Sequence, residues 1–206
     1  MIDFYTWTTP NGRKVSILLE ELGLDYRTHA IDITAGDQND PAFREVSPNG
    51  KIPAIRDDGL TLMESGAIML YLAEKHGRFL PDGADRWRAI EWLMWQMGGA
   101  GPMLGQVHHF VKYNPGKAPY AEERFGAEAR RLYGVLDARL TGRDYVAGDY
   151  SIADMAIWPW ISRFEWQGID LGGFPAVRDW YLRIAERPAV RRGYQVPKFV
   201  TEIPVP

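Results

Sequence analysis

Hydrophobic and polar residues follow two kinds of pattern over the first 80 residues. Residues 2–7 are rich in strand-forming side chains, and residues 10–23 carry apolar residues at the spacing of a helix. The apolar positions of this helix are Val15, Leu18, Leu19 and Leu22. Gly23 is a candidate C-terminal cap, and residues 26–33 again favour a strand. A strand, a helix and a second strand in so short a stretch predict a right-handed βαβ unit with parallel strands.

The rest of this half adds two strands and two helices. The predicted elements are a short helix at 41–46, strands at 52–56 and 60–63, and a helix at 65–76. Asp57-Asp58-Gly59 joins the two strands and is typical of a hairpin turn. The order βαβ, helix, ββ, helix is that of the thioredoxin fold. The sequence therefore predicts an α/β thioredoxin-like N-terminal domain over residues 1–80.

Strand patterns disappear beyond the turn-rich segment 80–83. Four helices of bundle length are predicted instead, at 85–112, 118–140, 151–166 and 174–186. Ser151 and Asp154 have the spacing of a capping box at the start of the third helix. Residues 195–206 contain three prolines and are predicted to be extended. We therefore expect an all-α helical-bundle C-terminal domain over residues 85–206 that completes the substrate pocket.

The composition indicates what class of protein this is and which partners are disfavoured. Of 206 residues, 46% are hydrophobic and 25% charged, and the net charge is −3, as in an ordinary globular protein. No basic excess favours nucleic acid or an anionic membrane. No apolar run approaches the roughly 20 residues that a bilayer requires, and the N-terminus lacks a signal-peptide pattern. We expect a soluble, cytoplasmic protein with neither nucleic acid nor a membrane as partner.

The chain contains no cysteine, which excludes disulfide bonds and metal sites with cysteine ligands. The adjacent His108 and His109 would point about 100° apart on a helix, and no third ligand stands at a suitable spacing, so we expect no metal. The loop after the first strand is nevertheless where a thioredoxin-like chain carries its reactive cysteines. Thiol chemistry at this loop would need a thiol that arrives on another molecule.

Thr9, Pro10 and Asn11 begin the first predicted helix. Threonine is a favoured N-cap and proline a favoured first residue, so the plainest interpretation is a helix start. A helix N-terminus also binds anions, and the Thr9 hydroxyl and Asn11 amide could both donate to the thiolate of a small peptide. Lowering a thiol pKa from ~8.5 to ~6.5 requires about 2.7 kcal/mol. One hydrogen bond to a charged acceptor supplies roughly 1.5–3 kcal/mol of that.

Residues 47–54, Ser-Pro-Asn-Gly-Lys-Ile-Pro-Ala, place a proline at the start of a strand. Pro53 cannot donate a ladder hydrogen bond, so its strand edge must face something other than the sheet. We predict a cis Ile52–Pro53 bond, which would turn the backbone groups of Ile52 toward a peptide-like ligand; an ordinary edge proline is the alternative. Lys51 is either a solvated charge or an anchor for a carboxylate.

Glu64 and Ser65 stand at the start of the helix at 65–76. The first amides of that helix would bind a carboxylate, and Glu64 would accept an ammonium group. The pair suits the amino-acid end of a small peptide. A plain helix cap beside an exposed glutamate is the alternative.

Taken together, these motifs resemble the glutathione site of the glutathione transferase superfamily. The resemblance is carried by residues 47–54 and by Glu64-Ser65-x-Ala67-Ile68, and chain size and the order of the two halves extend it over nearly the whole sequence. Two further stretches resemble the nu class: Tyr5-x-x-x-Thr9-Pro10-Asn11-Gly12-x-Lys14 and the glycine-rich run at 95–110. The resemblance implies a glutathione-dependent disulfide-bond oxidoreductase that needs no cysteine of its own.

The resemblance also implies a role for individual residues. Thr9 and Asn11 would face the glutathione sulfur. The residues implied to hold the rest of glutathione are Gln38 and Lys51 near the glycine carboxylate, Ile52 and Pro53 along the cysteinyl backbone, and Glu64 and Ser65 at the γ-glutamyl end. Arg131 matches a family arginine that reaches the site from the helical half, although the adjacent Arg130 leaves that assignment open.

Three functions are compatible with these residues. The first is reduction of a small-molecule disulfide by two bound glutathiones, which leave as glutathione disulfide. The second is conjugation of glutathione to a specific electrophile. The third is a catalytically idle binding or regulatory protein, which the intact set of site residues disfavours.

We predict a homodimer, mainly because the superfamily it resembles is dimeric. The predicted helix at 85–112 also carries aromatic and methionine residues around more of its circumference than one core face requires. Light scattering in the micromolar range should give about twice the mass of the 23.4 kDa chain. A mass of one chain across that range would contradict the prediction.

Overall fold

The computed structural model describes residues 1–206. Its strands are β1 (Ile2–Thr6), β2 (Tyr26–Ala30), β3 (Ala54–Asp57) and β4 (Leu60–Met63). Its α-helices are α1 (Pro10–Leu22), α2 (Pro41–Arg44), α3 (Ser65–His76), α4 (Gly83–Trp95), α5 (Gly101–Val107), α6 (Pro119–Leu140), α7 (Ile152–Ile161), α8 (Pro175–Ala185) and α9 (Pro188–Tyr194). No helix is both long and apolar enough to cross a bilayer.

The contacts divide the chain into two compact units. The first unit combines Met1–Leu80 with Glu186–Ile203, and the second combines Pro81–Ala185 with Pro204–Pro206. The division after residue 80 lies where the turn-rich segment stands. Residues 186–203 group with the first unit, whereas the sequence assigned everything from 85 to 206 to the helical domain.

The first unit is built on a four-stranded sheet in the order β2-β1-β3-β4. β1 and β2 are parallel, while β3 is antiparallel to both β1 and β4. Asp58 and Gly59 both have positive φ, as a tight hairpin between β3 and β4 requires. With helices α1 and α3 beside this sheet, the predicted thioredoxin-like α/β fold is confirmed.

Helix α1 is buried along most of its length. Gly23 ends it in the left-handed conformation, with φ of 70°, which confirms the predicted cap. On one side α1 packs against α9, a helix that the sequence analysis did not predict. A β-carbon at Gly193 would stand 2.7 Å from the backbone of Ile17, so α9 lies in direct contact with the α1 backbone. The Ser16 hydroxyl also donates to the Gly193 carbonyl at 2.6 Å.

The second unit contains helices joined by loops and no β-strand, as predicted. The predicted helix at 85–112 runs from Gly83 to Tyr113 and includes two π-helical turns, Gln96–Ala100 and His108–Tyr113. A π turn inserts an extra residue into the helix, and glycine at 98, 99 and 101 makes this run permissive of it. Helix α7 is shorter than the predicted 151–166. It ends at Ile161, and a short 3₁₀ turn, Phe164–Gln167, follows it.

A buried carboxylate organises the start of α7. Asp154 is fully buried and accepts hydrogen bonds from the N–H groups of Val146 and Ser151 and from the indole of Trp180, at 2.9 to 3.1 Å. The Ser151 hydroxyl accepts the N–H of Ala153 in return, so the predicted capping box is confirmed. One side chain thus satisfies donors on three separate segments.

We predict that Asp154→Ala lowers the free energy of unfolding by about 3–5 kcal/mol, because three buried N–H donors lose their acceptor. Urea unfolding followed by circular dichroism measures this change. Asp149→Ala is the matched control, since Asp149 is exposed, and its effect should stay within about 0.5 kcal/mol. Equal effects of the two substitutions would contradict the prediction.

Candidate functional site

The pairing of the strands brings four segments of the chain to one end of the sheet. Ala54 of β3 pairs antiparallel with Tyr5 of β1 and with Met63 of β4. The residues before Ala54 therefore lie beside those that follow Tyr5 and Met63. β2 is parallel to β1, so the loop after β2 leaves from the same end. The predicted site residues that these loops carry are Thr9, Asn11, Gln38, Lys51, Ile52, Pro53, Glu64 and Ser65.

Thr9 caps helix α1. Its hydroxyl accepts the N–H of Gly12 at 3.2 Å, and its own N–H donates to the Trp7 carbonyl at 2.7 Å. A hydroxyl has a proton as well as two lone pairs, so this cap leaves the Thr9 O–H able to donate to a ligand. Asn11 stands in the first turn and, like Thr9, is partly exposed. Two side-chain donors thus adjoin the positive end of a helix dipole.

Ser47 closes the loop that precedes β3. Its hydroxyl donates to the Lys51 carbonyl at 2.8 Å and accepts the Lys51 N–H at 3.3 Å. The Ile52–Pro53 peptide bond is cis, as predicted. Both ladders of β3 begin after Pro53, so Ile52 lies outside them, while its side chain packs on the small core around Phe43. The Lys51 side chain is exposed beside it.

Gln38 reaches the same loop from the exit of β2. It lies in a 3₁₀ turn, Asp37–Asn39, and a β-carbon at Gly50 would stand only 3.2 Å from its backbone carbonyl oxygen. Gly50 has φ of 61°, in the left-handed region that favours glycine. The side-chain carbonyl oxygen of Gln38 is buried and has no hydrogen-bond partner. A buried acceptor that stays unpaired is costly to stability.

Glu64 and Ser65 lie where β4 passes into α3. Glu64 has φ of 70° and ψ of 113°, a conformation that residues other than glycine rarely adopt and that is frequent at ligand sites. Its side chain is exposed and does not cap the helix. Ser65 beside it is 3% exposed. An exposed carboxylate and the start of a helix thus stand together, suited to an ammonium group and a carboxylate respectively.

Lys14, for which the sequence predicted no role, lies beneath Ser65. Lys14 is 1% exposed, and its Nζ donates to Ser65 Oγ at 3.2 Å, which links α1 to α3. Burial lowers the pKa of Lys14 to about 7, and the Glu64 carboxylate opposes part of this shift. The burial of Lys14 could be predicted from the sequence, because Lys14 precedes Leu18 by one helical turn and therefore lies on the apolar face of α1.

A second unpredicted cation lies near the β1–α1 loop. The Nζ of Lys198 stands 4.3 Å from the centre of the Trp7 indole ring, close enough for a cation–π interaction. Lys198 belongs to the C-terminal segment that groups with the first unit. The extended pattern of that segment gave no indication of where its charge would lie.

Arg131 lies on α6 in the second unit. Its guanidinium donates twice to the Glu128 carboxylate, at 2.7 and 2.8 Å. It lines a cavity of about 620 Å³, which Arg130 does not line. The other residues around this cavity are Met103, Tyr120, Glu123, Arg124, Phe125, Ala127 and Glu128. The cavity distinguishes the two arginines, and the role of Arg131 toward glutathione stays a prediction.

His108 belongs to the core of the second unit. Its Nε2 lies 3.1 Å from the amide nitrogen of Gln167, which can only donate, and its ring stacks on Trp160. Burial, with a smaller contribution from the charge of Arg163, lowers the pKa of His108 to about 4. The structure contains no group of three or more histidine, aspartate or glutamate side chains that could hold a metal ion.

Two family models match the chain. The model of the glutathione S-transferase N-terminal domain matches residues 4–81, and the model of the C-terminal domain matches residues 101–188. Among curated proteins, the disulfide-bond oxidoreductase YfcG of Escherichia coli (strain K12) is 51% identical over 198 residues, which cover 92% of this chain and 92% of YfcG.

Two solved structures resemble the whole chain. A glutathione transferase from Pseudomonas putida, with one glutathione disulfide bound per subunit, has a TM-score of 0.89 and 44% identity, and the match covers 95% of this chain and 91% of that one. A glutathione transferase from Burkholderia graminis, with two glutathione molecules bound per subunit, has a TM-score of 0.88 and 44% identity over 96% of this chain and 88% of that one.

Gly12 offers a test of the β1–α1 loop. A β-carbon at Gly12 would overlap the carbonyl oxygen of Trp7 and the hydroxyl of Thr6. We expect Gly12→Ala to lower the free energy of unfolding by about 1–3 kcal/mol, because the loop that carries Thr9 must shift. Urea unfolding measures this change.

The matched control is Gly134→Ala in α6, where a β-carbon would meet nothing within 4 Å. This substitution should raise helix stability by about 0.5–1 kcal/mol. If Gly12→Ala unfolds at the midpoint of the parent protein, the loop is not held by this close approach.

Proposed function

The chain belongs to the glutathione S-transferase family, and from this premise we propose that it is a glutathione-dependent disulfide-bond oxidoreductase. The observation that carries the proposal is a donor site at a helix start, formed by Thr9 and Asn11, in a chain without cysteine. The site is suited to hold a sulfur anion, and the protein has none to place there. The similarity to YfcG, described as a disulfide-bond oxidoreductase, supports the same function.

The reaction uses two glutathiones as co-substrates. A glutathione thiolate attacks one sulfur of the substrate disulfide, the sulfur–sulfur bond breaks, and one substrate thiolate leaves. The thiolate of the second glutathione then attacks the glutathione sulfur of the mixed disulfide and releases the second substrate thiolate. Two glutathiones are oxidised to one glutathione disulfide, the substrate disulfide is reduced to two thiols, and the protons of the two glutathiones pass to the products.

The contribution of the protein to this exchange is electrostatic. The Thr9 hydroxyl and the Asn11 amide donate to the attacking sulfur, and the first turn of α1 adds its partial positive charge. Because these groups are fixed before the ligand arrives, they stabilise the thiolate form without rearrangement. The same donors stabilise the sulfur that leaves in the second step.

The rest of the site holds the tripeptide. Gln38 and Lys51 serve the glycine end, where the amide N–H of one and the ammonium group of the other can donate to the carboxylate. The backbone of Ile52 pairs with the cysteinyl residue. Glu64 and Ser65 receive the ammonium and the carboxylate of the γ-glutamyl end. Opposite charges at the two ends of this groove would fix the direction in which glutathione lies.

We further propose membership of the nu class, a homodimer, and a contact of Arg131 with glutathione. The two similar transferase structures bind two glutathiones or one glutathione disulfide per subunit, which is the stoichiometry that the exchange reaction needs.

Conjugation to an electrophile uses the same glutathione thiolate as disulfide reduction. The rates of the two reactions, measured on the same protein, therefore distinguish the two functions. Fast reduction of a small-molecule disulfide by glutathione and slow reaction with a generic chlorinated aromatic acceptor is the expected result; the opposite order would favour the conjugating enzyme.

We predict that Thr9→Ala and Asn11→Ala each lower the rate of disulfide exchange roughly ten- to a hundredfold, or by about 1.4–2.7 kcal/mol. Each variant loses one donor to the sulfur and keeps the other. The double variant should lose more than either single one. Steady-state rates of reduction of a small-molecule disulfide by glutathione measure these changes.

Thr9→Ser is the control that keeps both the cap and the hydroxyl, and it should retain a rate near that of the parent. Treatment of the protein alone with a thiol alkylator should leave the activity unchanged, because the chain has no cysteine. If both alanine variants exchange disulfides at the parent rate, Thr9 is only a helix cap.

A further inference from the structure

The β1–α1 loop carries an aromatic side chain, Trp7, as well as the residues proposed to donate to the glutathione sulfur. The N–H of Thr9 donates to the Trp7 carbonyl at 2.7 Å, so the two residues belong to one tight turn. Both are partly exposed. A substrate disulfide that meets a glutathione thiolate at Thr9 therefore brings its own substituents close to this turn.

Lys198 places its ammonium group over the Trp7 indole. Its Nζ lies 4.3 Å from the centre of the ring. Lys198 stands four residues beyond the end of α9, a helix that is held on α1 by the hydrogen bond from the Ser16 hydroxyl to the Gly193 carbonyl. The contact with Trp7 and the packing of α9 thus restrict the position of a lysine whose side chain is otherwise exposed.

No carboxylate of the first unit forms an ion pair with Lys198. Asp32, which follows β2, is within range of its charge: hydrogen bonds from Thr34 are the main cause that lowers the pKa of Asp32, and the charge of Lys198 lowers it further. The Asp32 carboxylate nevertheless turns to its own loop, where one oxygen accepts the hydroxyl and the N–H of Thr34 at 2.6 and 2.9 Å. Lys198 therefore faces an aromatic ring and solvent, and its ammonium is accessible to an anion on a ligand.

We propose that Lys198 is a specificity-determining residue that favours disulfides with a carboxylate next to the reacting sulfur. The proposal rests on the proposed function, since it concerns the substrate of the same reaction. A thiolate that attacks such a disulfide is repelled by the carboxylate, and an ammonium beside the reacting atoms offsets that repulsion. Lys198 supplies charge alone and takes no part in the changes of bonding.

Three small disulfides of similar size distinguish this role from a structural one. Dithiodiglycolate carries a carboxylate on each half, bis(2-hydroxyethyl) disulfide is neutral, and cystamine carries an ammonium group on each half. The measured quantity is kcat/KM for reduction of each disulfide by glutathione, after subtraction of the uncatalysed exchange and at one low ionic strength, because salt screens exposed charges.

The variants remove, keep or reverse the charge at one position. They are Lys198→Gln, Lys198→Arg and Lys198→Glu. Lys117→Gln is the matched control, since it makes the first of these substitutions at an exposed lysine of the second unit.

We expect Lys198→Gln to lower kcat/KM for dithiodiglycolate about three- to fivefold, which is the size of effect that one exposed charge produces. The neutral disulfide should react as with the parent, and cystamine should react faster. Lys198→Glu should lower kcat/KM for dithiodiglycolate roughly tenfold, because it replaces an attraction with a repulsion. Lys198→Arg and Lys117→Gln should treat all three disulfides like the parent.

An equal change for all three disulfides in Lys198→Gln and Lys198→Glu would assign Lys198 only to the packing of the C-terminal segment, and it overturns the proposal. The same shift of preference in Lys117→Gln also overturns it, because the effect would then belong to the net charge of the protein. If the parent reduces none of the three disulfides, the proposed function fails as well. If it reduces them and Lys198→Glu keeps the relative rates of the parent, only the role of Lys198 is lost.

Discussion

Ala54 pairs with Tyr5 on one side of β3 and with Met63 on the other, and the whole site depends on these two registers. A slip of one residue in either ladder would turn every side chain of a strand to the opposite face. The buried side chains of Phe4 and Ile55, which are directly paired, resist such a slip. Sheet register thus fixes the distances among the loops that carry the candidate site.

A site built from loop ends and helix starts explains how thiol chemistry proceeds without cysteine. Most of its proposed ligand contacts come from backbone groups or from short side chains such as Thr9, Asn11 and Ser65, whose positions are set by the elements they begin. These groups stabilise charge but donate no electrons. The electrons come from glutathione, so the protein supplies orientation and pKa, and the co-substrate supplies the reactive atom.

The sequence predicted the first unit well where local rules decide. The predicted bounds of β4 and α3 agree with the structure, and so does the predicted cap at Gly23. Each of these features depends on residues that are close together in the sequence: a hairpin turn, a helix start and a glycine at a helix end. Helix α9 was missed because seven residues are too few to show a period. Lys14 was missed because its polarity hides its place on the apolar face, and Arg131 could not be separated from Arg130 without the fold. The sequence did not predict contacts between residues that are far apart along the chain.

The charge balance at this end of the sheet connects Lys14 to the rest of the site. The starts of α1 and α3 carry partial positive charge, Lys14 and Lys51 add full charges, and Glu64 is the negative residue among those proposed to bind glutathione. Burial weakens the hold of the Lys14 ammonium on its proton, and the Glu64 carboxylate opposes part of that effect. A ligand carboxylate bound near Lys14 would favour its ammonium form further, and by reciprocity whatever the charge of Lys14 adds to ligand binding, the ligand returns to the proton affinity of Lys14.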